Sequence, residues 1–498
     1  MQPNSRPLSQ LALTARAGGD PVIRDLVVDS RRVGDGALFA AMPGTQVHGA
    51  SFVPMALDHG AVAVLTDAEG AALCAAAVAQ AGAALVVVDD PRLALAQAAA
   101  LWFGDMPPVI AGVTGTNGKT SVASFLRQIW IELGHKAVNL GTTGVEGAWS
   151  APLAHTTPEP ITLHRTLARA AEAGVTHVAM EASSHGLEQR RLDAVPLVAA
   201  GFTNLTQDHL DYHPDFASYF AAKAGLFRRV LPASGTAVIN LDDGRGPEMR
   251  AIAAARGQEI ITVGRGLGDL NLLAQRVDGT GQDLRFGWKG APRMVRLNLI
   301  GDFQAQNVLM ACGLAIASGD DPEAVFATLP ALTTVRGRME LAATRDNGAS
   351  VFVDYAHTPD AVATALAALR PHVLGRVICI VGAGGDRDTT KRPLMGEAAA
   401  RGADVVIVSD DNPRSEDPAR IRAAVMAGAQ EADASDLLEI GDRAEAILRA
   451  TDMLAPGDAL LIAGKGHETG QTVGDTVLPF DDVEQASMAV RLLEGGKA

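Results

Sequence analysis

Apolar runs of strand length recur along this chain, and each stops against a polar or glycine-rich segment. Val109-Ile110-Ala111 leads into Gly112–Ser121, His177–Met180 into Glu181–Gly186, and Val198–Phe202 into Thr203–His209. Farther on, Val351–Val353 precedes Asp354–His357, Val377–Val381 precedes Gly384–Asp388, Val405–Val408 precedes Asp410–Arg414, and Ala459–Ala463 precedes Gly464–Glu468. Continuous Val/Ile/Ala runs mark strands covered on both faces, and in open parallel sheets ligands gather beyond the carboxyl ends of the strands. The pattern predicts an α/β chain in which two domains face a shared cleft. Val122, Phe125, Leu126, Ile129, Trp130 and Leu133 recur at helical spacing and predict an amphipathic helix that Gly134 ends. Alanine-rich stretches near 71–82 and 92–103 predict helices, as do 307–318 and 322–328, and Ala37–Ala40 predicts a short strand. Asp105–Pro108 reads as a linker, and a second break falls between 329 and 337. The expected domains are 1–104, 105–334 and 335–498.

The segment Gly112-Val113-Thr114-Gly115-Thr116-Asn117-Gly118-Lys119-Thr120-Ser121 carries the most chemistry. A strand, a glycine loop, Lys-Thr and a helix are the parts of a phosphate site. Glycines let backbone N–H groups approach the phosphates, the helix start favours negative charge, and Lys119 supplies a cation. Thr120 or Ser121 offers a hydroxyl to Mg²⁺. A strict Walker spacing would put a glycine at Val113, whereas here the glycines fall at 112, 115 and 118.

Composition narrows the classes. A formal charge of −15 disfavours broad binding to nucleic acid or to anionic membranes. Cys74, Cys312 and Cys379 stand far apart with no C-x-x-C spacing, which argues against a disulfide framework or zinc site and suits a reducing cytosol. Residues 1–19 hold no continuous apolar core, and no stretch of 18 apolar residues suggests a membrane span. A cytoplasmic monomer without membrane insertion is expected.

Six segments follow one another in a family order: Gly115–Ser121, Asp208-His209-Leu210-Asp211, Gly301-Asp302-Phe303-Gln304-x-x-Asn307, Gly337-Arg338-Met339-Glu340, Val353–Asp360 and Gly384–Asp388. Together they resemble the Mur ligase family over nearly the whole chain; the glycine loop is shared with the folylpolyglutamate synthetases. The resemblance implies an N-terminal α/β uridine-nucleotide domain, a central P-loop ATPase-like parallel sheet and a C-terminal Rossmann-like domain. It implies an ATP-dependent amide ligase of peptidoglycan precursor synthesis with Mg²⁺ as cofactor. ATP would phosphorylate the D-glutamyl carboxylate of UDP-N-acetylmuramoyl-L-alanyl-D-glutamate (UDP-MurNAc-L-Ala-D-Glu), and the amine of meso-2,6-diaminopimelate would attack the acyl phosphate.

Residue by residue, the resemblance assigns Gly115 to Ser121 to ATP, with Asn307, Arg338 and Asp354 as further nucleotide contacts. Gln304 stands where the family commonly has asparagine, and Arg336 where proline often precedes Gly-Arg. Lys119, Glu181, His209 and Lys223 form the implied catalytic set, in which Thr120, Ser121, Glu181, His209 and Lys223 serve metal. A hard cation prefers oxygen, so Glu181 is the stronger ligand on physical grounds. Alone, Lys223 reads as an exposed helical lysine; the resemblance makes it a carbamylated lysine (N6-carboxylysine), an anionic oxygen donor. Val28, Ser30, Thr45, Gln46, Val47, His155, Thr156, Thr157, Ser183, Gln189 and Arg191 match contacts to the nucleotide-peptide substrate, with Thr45-Gln46-Val47 standing where the family often has His-Gln-Ala and His155 where asparagine is common.

The amino-acid substrate is argued from Asp411-Asn412-Pro413-Arg414. Lysine and diaminopimelate differ by one distal carboxylate, and a bidentate guanidinium recognises it better than a point charge. Arg414 and Arg387 are the natural pair, and Gly464 with Glu468 can hold the distal ammonium. A lysine-adding relative or a folylpolyglutamate-type ligase would share the ATP loop, but the Asp-Asn-Pro-Arg segment and the N-terminal region argue against both. A mechanical or signalling P-loop NTPase would hydrolyse ATP with no amino-acid requirement.

Overall fold

Four short parallel strands near the N-terminus, Asp25–Val27, Ala37–Ala40, Ala61–Thr66 and Ala84–Val87, pair in that order. Both of their faces are buried, which is why they read as Ala/Val/Leu runs without alternation. Their helices are punctuated locally. Asp67 accepts from Gly70 N–H to start Ala68–Ala81, and Asp90 accepts from Leu93 N–H to start Pro91–Phe103, with proline in its first turn. The structure, a computed structural model, describes residues 5–44, 47–206 and 212–495. Thr45, Gln46 and His209 therefore lie outside the described residues.

The chain divides into two compact units, 1–268 with 310–325, and 269–309 with 326–498. Besides the N-terminal strands, the first unit holds strands ordered Glu259–Arg265, Thr236–Asn240, Ala199–Phe202, Val109–Thr114, His177–Glu181, Ala137–Gly141 and Gly144–Gly147. Val109–Thr114 sits between its two parallel neighbours, with Val113 opposite both Glu181 and Gly201. That register aligns three carboxyl ends at one edge and presents the glycine loop between Glu181 and Thr203.

In the second unit, strands run Glu340–Thr344, Ser350–Asp354, Ala459–Ala463, Val377–Val381, Val405–Val408 and Leu437–Glu439. All neighbours are parallel except the first pair. The carboxyl ends of four of these strands thus carry Asp354-Tyr355, Gly464–Glu468, Gly384–Arg387 and Asp410–Arg414. This unit also contains the antiparallel meander Leu270–Asp278, Gly281–Trp288 and Ala291–Leu297. Among the described residues, no helix is long and apolar enough to cross a membrane. The three cysteines are free and buried.

Candidate active site

The helix Lys119–Glu132 begins at Gly118, whose φ of 85° lies in the left-handed region that favours glycine, and no side chain caps it. An uncapped helix start keeps its first N–H groups available to an anion. Lys119 Nζ donates to the Gly115 and Thr116 carbonyls at 2.9 and 2.8 Å. Lys223 Nζ, from the helix Phe216–Gly225, donates to the same Gly115 carbonyl at 2.7 Å and lies 4.5 Å from the Tyr219 ring centre. Lys223 is 1% exposed, so its reading as an exposed helical lysine is corrected: the residue faces inward against the nucleotide loop. The adjacent strand end braces that loop. Thr203 Oγ1 donates to Asn117 O at 2.6 Å, and Asn204 Oδ1 accepts from Asn117 N–H at 2.9 Å.

The buried Glu181 carboxylate accepts from Thr120 Oγ1 at 3.0 Å and from Thr142 N–H at 2.8 Å. Gly141 allows this approach, because a Cβ there would stand 2.0 Å from Glu181 Oε1. Ser121 is buried one residue after Thr120. Hydroxyl and carboxylate oxygens brought together beside a phosphate loop are the donors a hard divalent cation takes.

From Glu181 a chain of bonds runs to the expected peptide contacts. Thr142 Oγ1 bonds Thr156 Oγ1 at 3.0 Å, and Thr157 Oγ1 donates to Glu181 O at 2.9 Å. Ser183 N–H donates to Thr157 Oγ1 at 3.1 Å, and Arg191 Nη1 donates to Thr157 O at 2.5 Å. Arg191 also grips Gln189 Oε1 through Nε and Nη2 at 3.2 and 2.8 Å. Burial holds its guanidinium below the usual range. Thr156, Thr157, Ser183, Gln189 and Arg191 thus form one set with Glu181, and His155 is exposed beside them. Farther N-terminal, Asp29 caps the short helix Ser30–Arg32 and pairs bidentately with Arg31, which brings its carboxyl down to about 2. Ser30 is buried there, while Val28 and Val47 are exposed. Among the described residues, no hydrogen bond ties these three to the Glu181 set.

In the second unit, Asn307 Nδ2 donates to Gln304 Oε1 at 3.0 Å, and both residues are buried. Gln304 Nε2 has no hydrogen-bond partner among the described residues. The Asp354 carboxylate accepts from Met339 N–H at 2.8 Å; burial raises its pKa, opposed by the Arg338 charge. The Arg338 guanidinium stands 5.0 Å from the Tyr355 ring centre.

The loops after Val405–Val408 and Ala459–Ala463 meet in a dense polar cluster. Asn412 Nδ2 donates to Asp411 Oδ1 at 3.1 Å and to Glu468 Oε2 at 2.9 Å. Asn412 Oδ1 accepts from Thr472 N–H at 2.9 Å and from Lys465 Nζ at 3.3 Å. Gly464 lies against Asp411, whose pKa is raised by burial. Pro413 is buried. Arg414 has φ 51°, a left-handed backbone costing a non-glycine residue about 1–2 kcal/mol. The hairpin Gly470–Pro479 holds it there: Arg414 N–H donates to Thr472 O at 3.0 Å, and Gly474 N–H donates to Arg414 O at 2.7 Å. Its Nη1 donates to Gly385 O at 2.7 Å, which sets it against the loop bearing the exposed Arg387.

Several participants had no role in the sequence reading. Thr142, Asn204 and Tyr219 brace Glu181 and the nucleotide loop. Lys465 lies inside a run already singled out, but nothing local announced its burial. The fully buried pair Arg443–Asp482, at 2.7 Å, joins two helices and props Ala463 O at 3.0 Å.

The Mur ligase middle domain matches residues 113–315, the Mur ligase glutamate ligase domain 337–466, and the Mur ligase family catalytic domain 22–103. The chain is 50% identical over 475 residues to the UDP-N-acetylmuramoyl-L-alanyl-D-glutamate--2,6-diaminopimelate ligase of Bradyrhizobium diazoefficiens, covering 94% of this chain and 95% of the relative. It is 47% identical to the enzyme of that name from Caulobacter vibrioides, over 95% of this chain and 96% of the relative. A solved structure of that ligase superposes with a TM-score of 0.69 at 33% identity, covering 95% of each chain.

Proposed function

The chain belongs to the Mur ligase family, and from that premise we propose how its residues divide the reaction. It is an ATP-dependent ligase that joins 2,6-diaminopimelate to UDP-N-acetylmuramoyl-L-alanyl-D-glutamate. One observation carries this reading: the match to diaminopimelate ligases runs over 94% of the chain, through both strand-end loop systems. Three domains, 1–104, 105–334 and 335–498, accommodate the family segments at 22–103, 113–315 and 337–466.

ATP lays its phosphates on the uncapped helix start, where N–H groups and Lys119 oppose their charge. Lys119 then leaves the Gly115 and Thr116 carbonyls for phosphate oxygens. Asn307, Arg338 and Asp354 take the nucleotide roles of the resemblance. Mg²⁺ would be held by Thr120 or Ser121, Glu181, His209 and a carbamylated Lys223; the oxygen donors on Thr120 and Glu181 suit it. The chemistry such a cation would supply there is neutralisation of charge on the transferring phosphoryl group. Phosphoryl transfer asks for positioning and charge balance more than for covalent help. The D-glutamyl carboxylate takes the γ-phosphoryl group, ADP leaves, and the amine of meso-diaminopimelate displaces phosphate to form the amide.

Thr156, Thr157, Ser183, Gln189 and Arg191 bind the muramoyl peptide, and Val28, Ser30, Thr45, Gln46 and Val47 the uridine end. Arg414 with Arg387 receives the distal carboxylate of meso-diaminopimelate. Glu468, beside Gly464, receives the distal ammonium. Phosphate release with UDP-MurNAc-L-Ala-D-Glu and ATP tests the whole. Release should require meso-diaminopimelate, be slow with lysine, and vanish without an amino acid. Release independent of any amino acid would overturn the reading in favour of a simple ATPase.

A further inference from the structure

Lys465 is 0% exposed, and an ammonium so placed costs several kcal/mol unless every donor is used. Here three acceptors surround it: Gly470 O at 2.5 Å, Glu468 Oε2 at 3.2 Å and Asn412 Oδ1 at 3.3 Å. The Asn412 amide is saturated in the same way. Its oxygen faces two donors, Lys465 Nζ and Thr472 N–H, and its nitrogen faces two carboxylates, those of Asp411 and Glu468. An amide offers two donor hydrogens and two acceptor lone pairs. With all four engaged, Asn412 has nothing left for a ligand, and only one orientation of its amide is tolerated. Glu468 differs. Its Oε2 takes both Asn412 and Lys465, while Oε1 has no hydrogen bond among the described residues.

We propose that Lys465 is a positioning residue for the amino-acid substrate: by fixing the Asn412 amide and one oxygen of Glu468, it presents the other Glu468 oxygen to the distal ammonium. The proposal rests on the assignment of Glu468 to that ammonium. Lys465 does two things for it. As a donor-only group it excludes the flipped Asn412, which would aim its oxygen at Asp411 and Glu468. As a buried cation it balances two neighbouring carboxylates. Asn412, within the segment from which the amino-acid substrate is argued, becomes the link through which Lys465 acts.

The test is Lys465→Met in the full chain, with Glu468→Gln and the double variant, reading kcat and the KM of each substrate. Losing a buried charge-assisted bond should raise the diaminopimelate KM about 10- to 100-fold. The KM values for ATP and the nucleotide-peptide should stay within about twofold, as expected when ground-state binding of one substrate is lost. In the Glu468→Gln background, Lys465→Met should add little, since residues acting through one another are non-additive. Full additivity, an unchanged diaminopimelate KM, or a rise in all three KM values together would overturn the proposal. If Glu468→Gln itself leaves the diaminopimelate KM unchanged, the ammonium assignment fails instead. Should Lys465→Met not fold, Asn412→Asp carries the test. It keeps both donors onto Oδ1 but turns an oxygen toward two carboxylates, and should raise the diaminopimelate KM non-additively with Glu468→Gln; an unchanged KM would overturn the link.

Discussion

The Gly115–Ser121 loop, proposed to take the nucleotide, and the loops around Asn412, proposed to take the amino acid, are both built at the carboxyl ends of parallel strands, but their polar groups are in different states. At Gly115–Ser121 no side chain caps the helix start, and two lysine Nζ groups, those of Lys119 and Lys223, donate to one backbone carbonyl, Gly115 O. Anionic phosphate oxygens replace such contacts at little loss. Around Asn412 the amide and the Lys465 ammonium already have partners for every donor and lone pair. The first site is arranged to be rearranged by its ligand; the second is finished before the ligand arrives and exposes only selected atoms. A large, variable phosphate charge suits the first design, and discrimination between two similar amino acids suits the second.

The comparison breaks most severely at Lys119. Lys119→Ala removes the cation proposed to oppose phosphate charge, and Lys119 Nζ is directed at the loop carbonyls of Gly115 and Thr116. Turnover should fall by at least about 10²–10³-fold, the scale for losing one charge-stabilising donor, with the thermal midpoint unchanged. Phosphate release and a melting curve check this. Near-normal turnover would remove the loop from the mechanism.

Lys223 tests whether the nucleotide side holds an added carboxylate. If the buried amine is carbamylated, Lys223→Ala should be nearly inactive and partly recovered by formate or acetate, which supply the missing oxygens. The unmodified variant-insensitive case, with no rescue and no carbonyl signal from ¹³C-bicarbonate in the wild-type enzyme, would sink the modification.

Arg414 sharpens the amino-acid side. Arg414→Ala should cost roughly 2–5 kcal/mol of diaminopimelate binding, the range for truncating one partner of a desolvated charge pair. That loss should be read as a raised KM for diaminopimelate with the KM for ATP nearly constant. Arg414→Lys should recover only part, because a point charge does not reproduce the fork. Poor use of lysine, which lacks the distal carboxylate, should change far less. Equal losses for ATP and diaminopimelate would point to a disturbed loop backbone, which is a real alternative at a residue with φ 51°.

The same contrast explains what was legible in the sequence. The nucleotide loop is a contiguous motif, so Gly115 to Ser121 and the helix behind it read directly, and the helix closes at Leu133 with Gly134 beyond it. The strand runs read well because burial on both faces leaves no alternation to confuse. Val377–Val381, Val405–Val408 and Ala459–Ala463 have the expected limits. The meander at 270–297 was not read, although Asp278–Gly281 and Lys289-Gly290 separate three extended runs; partial exposure breaks the apolar pattern there. Lys223 and Lys465 look like ordinary lysines in a helix and a loop, and only tertiary packing buries them. Arg443 and Asp482 are 39 residues apart, with no local signal that they pair.

The smallest expected effect concerns a buried polar group with no hydrogen-bond partner among the described residues. His164 lies on the helix Pro160–Glu172, whose Leu163 and Leu167 pack into a core shared with Ile110 and Val178 of the central strands. It is 0% exposed, and neither ring nitrogen has a hydrogen-bond partner among the described residues. Burial alone pulls its pKa from 6.5 down to about 4. The native state therefore prefers the neutral ring. Its contribution is whole above pH 6.5 and is lost as pH falls from about 6.5 toward 4, because the unfolded chain takes up the proton first. The full shift sets a ceiling of roughly 3 kcal/mol at 1.36 kcal/mol per unit. His164→Leu deletes both unpartnered nitrogens and leaves an apolar side chain in the same core. Its urea midpoint at pH 7 should match or exceed that of the parent, by up to about 1 kcal/mol of stability, and should fall less between pH 7 and pH 5. Asn412, buried but fully bonded, should give the opposite result: Asn412→Leu leaves Thr472 N–H without its acceptor, takes one of three from Lys465, and destabilises at pH 7. Identical pH slopes for the parent and His164→Leu would show that another group governs the acid limb, and that the lack of partners at His164 has no energetic consequence.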